Sequence, residues 1–168
     1  MKNFFIKYKT YILSYLACVA LGTLCHFIYD WTNHFALLKP FVSIDESLFE
    51  HLKLIFYPMI LVALIEGFII KKSPSNIILV RSIGAVLACI GLSIFHLTYR
   101  MFNNNEAIPL IDITSYYVFV LIAYLISIKI EKHIENRNFR IFAYFILFLT
   151  VILFSVFTEY KPNNVFFK

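Results

Sequence analysis

The chain has 168 residues, of which 61% are hydrophobic and only 15% are charged, and its mean hydropathy is +0.79. Soluble domains are about half apolar and a quarter charged, so this composition excludes an ordinary soluble domain or a disordered chain and indicates an integral membrane protein. The net charge of +5 does not indicate nucleic-acid binding, because the basic residues lie between apolar segments and form no aromatic-rich patch.

Five apolar segments are long enough to cross a bilayer, which takes about 20 apolar residues each. They occupy most of the chain, so the sequence predicts an all-α, polytopic helical bundle that forms a single integral-membrane domain over residues 1–168. The predicted helices span residues 11–29, 44–70, 77–99, 108–128 and 139–157.

Lysine and arginine are concentrated on one side of this predicted bundle, before the first helix and around the turns that follow helices two and four. Such positive flanks stay in the cytoplasm. The sequence therefore predicts a multi-pass protein of the cell membrane, with its N-terminus inside and its C-terminus outside.

The first predicted helix carries small or polar residues at every fourth position, namely Ser14, Cys18, Gly22 and His26. Stripes of small residues let helices approach closely in lipid, so His26 is predicted to face the bundle. Tyr29 follows it and suits the aromatic belt at the outer interface.

Charged residues are concentrated where the second predicted helix begins. Ser43 is predicted to cap this helix, and Glu46, three positions later, would complete a capping box. Glu46, Glu50 and Lys53 share one helix face by their spacing, and His51 lies beside them. A cluster of this kind in so apolar a chain indicates a site.

The outer ends of helices three and four add more polar groups. His96 continues a stripe of small residues and is predicted to face protein, and Tyr99 lies one turn further on. Asp112 lies near the start of helix four, with Tyr116 one turn later. At the opposite side, Glu66 of helix two and Arg81 of helix three are predicted to form a structural ion pair across a short turn.

These residues share one depth in the predicted bundle, at the outer ends of four helices. Imidazole and carboxylate ligands suit zinc or another divalent ion, and two histidines, a glutamate and a water are the ligands of some catalytic zinc sites. The predicted metal ligands are His26, Glu50 and His96, with His51 or Glu46 as a substitute. Glu46 is otherwise the predicted catalytic base that activates metal-bound water.

The remaining polar residues are predicted to support this site. Tyr29, Tyr99 and Tyr116 would donate hydrogen bonds to a developing oxyanion, with Lys53 and Asp112 nearby. Each candidate also has a purely structural interpretation. Glu46 would cap its helix, Glu50 would pair with Lys53, Asp112 would favour the helix dipole, and the histidines would be packing or solvated residues.

Several segments resemble those of a bacterial family of small multi-pass membrane proteins of unknown function. In that family an N-E-S-x-W-E-H-x-K stretch opens the second helix, and Asp45 and Phe49 stand here where the family usually has asparagine and tryptophan. The resemblance implies the membrane fold and no particular activity. The segments that carry it are residues 26–29 (H-F-I-Y), residues 45–53 (D-E-S-L-F-E-H-L-K), Pro58 and residues 157–162 (F-T-E-Y-K-P).

Three functions are compatible with these patterns. The first is a membrane-embedded, metal-dependent hydrolase of an amphipathic substrate, which would be similar in architecture to ceramidase-like intramembrane hydrolases. The second is a component that binds or transports an ion or small ligand. The third is a non-catalytic membrane module that needs a partner. The lipid bilayer is the one partner that the sequence predicts, while a homo-oligomer and a partner membrane protein are both compatible with it.

Overall fold

The structure, a computed structural model, describes residues 2–104, 106–163 and 165–167. Within these residues the chain forms five long α-helices, three short 3-10 helices and no strand. All five long helices are long and apolar enough to cross a membrane, so the predicted all-α membrane fold is confirmed. The long helices are α1 (Lys2–Trp31), α2 (Leu48–Ile69), α3 (Pro74–Phe102), α4 (Pro109–Ile130) and α5 (Arg137–Glu159), and the short ones are Ala36–Leu38, Glu131–His133 and Val165–Phe167.

Helices α2 and α3 form the centre of the bundle and are its most buried spans. They pack along each other, while α1 lies on α2, α4 lies on α3, and α5 lies against α3. Phe56, Met59 and Ala88 are fully or almost fully buried in the core between these helices. The outer faces of α1, α4 and α5 expose many large apolar side chains, as expected where lipid covers a protein surface.

The beginning of α2 differs from the prediction, because Ser47 caps the helix instead of Ser43. The Ser47 side chain accepts a hydrogen bond from Glu50 N at 3.4 Å. Asp45 Oδ1 accepts one from Ser47 N at 2.9 Å, and Ser43 Oγ donates to Asp45 O at 2.8 Å. The predicted capping box is therefore wrong: Glu46 precedes the helix, and its carboxylate reaches toward α1.

The structural ion pair between α2 and α3 lies in the buried interior of the bundle. Arg81 Nε donates to Glu66 Oε2 at 3.2 Å, and Arg81 Nη2 donates to Glu66 Oε1. The guanidinium also lies over the rings of Tyr11 and Tyr124, at 5.2 and 4.8 Å from their centres. Because a cation gains from aromatic faces as well as from a carboxylate, this contact connects four helices at the predicted inner side.

Gly22 permits close contact between α1, α2 and α4. A methyl group at this position would lie 2.5 Å from the Leu54 carbonyl oxygen and would overlap the Tyr116 hydroxyl. That hydroxyl donates to Val19 O at 3.3 Å and to Leu54 O at 3.4 Å, so it joins α4 to the backbones of α1 and α2. The small-residue stripe predicted for the first helix thus has a direct packing consequence at Gly22.

Replacing Gly22 with alanine should destabilise the folded protein by about 1–3 kcal/mol, because the Leu54 backbone cannot move aside as a flexible side chain can. The measurement is the free energy of unfolding in detergent, followed by circular dichroism. Gly91→Ala is the matched control, since a methyl there meets the ring of Phe119, which can rotate. Equal stability of the two variants would contradict this explanation of Gly22.

Candidate metal centre

Two histidines and a glutamate meet where α1 ends and α2 begins. His26 Nε2 lies 3.2 Å from His51 Nε2, and Glu46 Oε2 lies 3.5 Å from each of these nitrogens. A tetrahedral zinc ion with bonds of about 2.0–2.1 Å places its ligand atoms roughly 3.3 Å apart. The three atoms therefore have the spacing of three ligands around one zinc ion.

The hydrogen bonds of His51 prepare one of its ring nitrogens to bind a cation. His51 Nδ1 lies 2.8 Å from Ser47 O, and a carbonyl oxygen only accepts hydrogen bonds, so Nδ1 carries the ring proton. In the neutral ring, Nε2 then keeps its lone pair, and this is the atom that lies beside His26 Nε2. A backbone carbonyl commonly orients a metal-binding histidine in this manner.

The cluster of His26, Glu46 and His51 is accessible from one side. The histidine side chains are 27% and 31% exposed, and the Glu46 side chain is 80% exposed. A structural zinc site is closed by four protein ligands, whereas a catalytic one has three and keeps a position for water or substrate. Three ligand atoms with an accessible side correspond to the second type.

A cavity of about 430 Å³ adjoins the cluster and lies among α1, α2, α3 and α4. Its size falls in the range of about 300–1,000 Å³ found for small-molecule sites. Most of its wall is apolar, and includes Leu48, Leu54 and Leu92. Besides the cluster, the cavity is lined by His96, Arg100 and Asp112 and by the hydroxyl-bearing Tyr116 and Tyr117.

His96 lies in the cavity wall but outside the cluster. His96 Nε2 is 3.0 Å from Ser115 Oγ, which itself donates to Asp112 O at 2.9 Å, so Nε2 carries the proton and donates to the serine. His96 Nδ1 is buried and has no hydrogen-bond partner among the described residues. His96 thus lines the cavity and has one unused acceptor nitrogen, which is buried. Asp112 Oδ1 approaches the same nitrogen as Ser115, at 3.6 Å, so the three residues do not form a nucleophile relay.

Asp112 attracts donors from the end of α3. Tyr99 Oη donates to Asp112 Oδ1, and Arg100 Nη2 lies 3.5 Å from Asp112 Oδ2. The Arg100 side chain is only 14% exposed, and its Nε is buried without a hydrogen-bond partner in the described part of the chain. One carboxylate therefore leaves donors of this guanidinium unused.

Glu50 and Lys53 lie outside the cluster and form a fully buried ion pair, with 2.7 Å between Lys53 Nζ and Glu50 Oε2. Lys53 also donates to Lys39 O at 2.7 Å and to Val42 O at 3.1 Å. Glu50 Oε2 accepts from Ile44 N at 3.0 Å. The structure does not bring Glu50 to the histidines, and the pair instead fixes the loop that leads to Glu46.

The last turn of α5 and the segment after it also contact the loop before α2 and its buried Glu50. Lys161 pairs with Asp45 and lies 3.5 Å from Glu50 Oε1, to which Thr158 also donates at 3.4 Å. Burial acts to raise the pKa of Asp45, but hydrogen bonds from Lys161 and Ser47 prevail and the pKa is lowered. The Asp45 carboxylate therefore stays ionised to a lower pH than that of an unpartnered aspartate. Its contacts with Lys161 and Ser47 persist over the same pH range.

The three tyrosines predicted as oxyanion donors have other contacts. Tyr116 lines the cavity, but its hydroxyl donates to two backbone carbonyls. Tyr99 donates to Asp112, and Tyr29 packs edge-on against His34 at 5.0 Å between ring centres. None of these contacts places a hydroxyl beside the three candidate ligand atoms.

Sequence reasoning missed one residue of the site and gave another a secondary place. Arg100 is not among the residues predicted for the site, although its position four residues after His96 puts both side chains on one face of α3. His51 was predicted beside His26 only as a substitute ligand, because the sequence supplies the depth of a residue and not the rotation of its helix.

Comparison with known proteins gives a family and no activity. The family described as a family of unknown function (DUF6512) matches residues 1–168. No curated protein and no solved structure matches the chain. The resemblance to a family of unknown function is confirmed at this level, whereas the motif and the bacterial origin stay predictions.

Proposed function

Because the chain belongs to the family of unknown function DUF6512, we propose its activity from the site: a membrane-embedded hydrolase that acts on an amphipathic substrate with one divalent ion, preferably zinc. His26, Glu46 and His51 are the proposed ligands. The observation that carries the proposal is the spacing of 3.2–3.5 Å among their three ligand atoms, at the edge of a cavity.

A hydrogen-bonded cluster without metal accounts for these distances less well. One imidazole N–H donating to the other ring would explain the contact between His26 and His51. It would not explain why Glu46, with a side chain 80% exposed, lies 3.5 Å from both nitrogens, since an exposed ion pair gains little and costs side-chain entropy. A cation bound by all three side chains would explain why their ligand atoms lie together.

The chemistry follows from the ligand set. Zinc with three protein ligands retains a position for water and lowers the pKa of that water to about 7, which supplies hydroxide near neutral pH. With Glu46 as a ligand, the role of general base passes to another residue. His96 is the proposed proton acceptor, because its Nδ1 is unused and the residue lines the same cavity. The apolar wall suits the chain of an ester or amide substrate.

Metal content tests the proposal directly. Protein purified in detergent, incubated with zinc and desalted should contain about one zinc per chain, and His26→Ala or His51→Ala should remove most of it. His34→Ala is the matched control, since His34 is exposed and pairs with Asp30 at 3.2 Å. Wild-type protein without zinc, with its helical circular dichroism intact, would contradict the proposal.

A further variant separates the two ligand sets. His96→Ala should retain zinc if His26, Glu46 and His51 are the ligands, and should lose it if the set predicted from the sequence, with His96, is right. Where zinc binds, hydrolysis of p-nitrophenyl dodecanoate should depend on zinc and fall at least about 100-fold in His96→Ala. A metal site with no hydrolysis of ester or amide amphiphiles would favour the second candidate, ion binding, for which the exposure of Glu46 allows ready exchange.

A further inference from the structure

Arg100 is a basic cavity residue that the proposed hydrolysis does not use. It lies in the last turn of α3, and its side chain is 14% exposed. Its partner in the described structure, Asp112, is 3.5 Å away and already accepts from Tyr99. Burying a guanidinium whose Nε has no hydrogen-bond partner costs free energy, unless a further acceptor binds the unused donors.

The charges around the cavity favour an anion once the metal is bound. While the zinc-bound water is neutral, zinc and Arg100 would supply three positive charges and Glu46 and Asp112 two negative ones, so one positive charge is left in a mostly apolar cavity. A carboxylate or a phosphate would balance this charge. Both also match the fork of a guanidinium, which donates two parallel hydrogen bonds to such groups.

The exposure of the lining residues indicates how the ligand would enter. Lining residues on α2 and α3, such as Leu54 and Leu92, are buried. Lining residues on α1 and α4, such as Phe27, Ile113 and Tyr117, are exposed. Both of these helices are long and apolar enough to cross a membrane, so this distribution fits entry from the lipid between α1 and α4.

We infer that this cavity binds a single-chain amphiphile with an anionic head group, whose carboxylate or phosphate is held by Arg100 while its chain lies along the apolar wall. A volume of about 430 Å³ suits one chain better than two. The inference rests on the proposed function for treating this molecule as the substrate class. Binding itself is measurable without catalysis.

The test uses dodecyl phosphate as the probe for zinc-loaded, full-length protein in dodecyl maltoside, with bound molecules counted by native mass spectrometry. Wild type should bind one dodecyl phosphate per chain, and Arg100→Gln should bind it about ten- to hundredfold more weakly with unchanged zinc content. Lys39→Gln is the control, because Lys39 pairs with Glu159 and does not line the cavity. Equal binding by Arg100→Gln and wild type would overturn the inference.

Two further arms make the result specific. Inorganic phosphate at the same concentration should bind at least about tenfold more weakly than dodecyl phosphate, because it lacks the chain that fills the apolar wall. Equal binding of inorganic phosphate and dodecyl phosphate would overturn the inference that the ligand is an amphiphile, and would indicate a site for a small anion. Asp112→Asn should strengthen dodecyl phosphate binding, since it removes the competing carboxylate, whereas a purely structural pair between Arg100 and Asp112 predicts no gain.

The two proposals can fail separately. Zinc uptake combined with dodecyl phosphate binding that does not depend on Arg100 would refute the head-group site and leave the metal site intact. Absence of zinc, together with binding that still depends on Arg100 in protein treated with EDTA, would refute the metal centre and support the head-group site.

Discussion

Replacing Glu66 with alanine should destabilise the folded bundle by about 3–5 kcal/mol, because Arg81 would stay buried without its carboxylate. Both side chains are buried, and two hydrogen bonds connect them. The rings of Tyr11 and Tyr124 would still face the guanidinium, but aromatic faces compensate only part of a lost negative charge.

The free energy of unfolding in detergent, followed by circular dichroism, measures this effect. Glu159→Ala is the matched control. It breaks the pair between Lys39 and Glu159, whose side chains are 32% and 55% exposed, and should lower the free energy of unfolding by less than about 1 kcal/mol. The double variant Glu66→Leu/Arg81→Met should recover most of the stability, since it leaves no unpaired charge in the interior. An effect of Glu66→Ala as small as that of Glu159→Ala would contradict the account.

The Glu66–Arg81 contact illustrates what can be predicted from this sequence. A transmembrane helix satisfies its backbone hydrogen bonds internally, so a long apolar segment determines the type and approximate extent of the element. The turn between α2 and α3 is short, which makes these helices antiparallel neighbours and brings residues of equal depth together. A buried cation and a buried anion on such neighbours have few alternatives to pairing.

The cluster of His26, Glu46 and His51 was less predictable because two overlapping cap signals compete. Ser43 with Glu46 and Ser47 with Glu50 both fit the S-x-x-E pattern of a capping box. The first choice places Glu46 inside the helix and on one face with Glu50. The second, which the structure adopts, leaves Glu46 in the preceding turn, where it reaches His26.

Long-range contacts decide between these two caps. Glu50 accepts from Ile44 N, pairs with Lys53 and contacts Thr158 at the end of α5. The pair with Lys53 is predictable from its spacing. The contacts with Ile44 N and Thr158 are not, since they depend on the path of the loop and on the position of a helix more than a hundred residues later. The residues of the proposed ligand set could therefore be identified only from the fold, whereas their chemical type, imidazole with carboxylate, was predictable from the sequence.

The same network leads to the second large effect. Glu50→Gln should lower the zinc affinity about ten- to hundredfold, although Glu50 is not one of the three residues of the cluster. The amide cannot neutralise Lys53, whose ammonium is fully buried. The loop held by Lys53 at Lys39 O and Val42 O should then loosen, and Glu46 would be held less firmly beside the histidines. Competition with a fluorescent zinc chelator measures the affinity.

The variant Lys53→Met distinguishes a positioning residue from a ligand. It removes the donors to Lys39 O and Val42 O and leaves Glu50 without its buried cation, so zinc affinity should fall about as far as in Glu50→Gln. A direct ligand role for Glu50, as predicted from the sequence, would leave the zinc affinity of Lys53→Met near that of wild type, because the Glu50 carboxylate is unchanged. A matching loss in both variants would therefore assign the ligand role to Glu46 and a positioning role to Glu50, which acts through the loop that connects them.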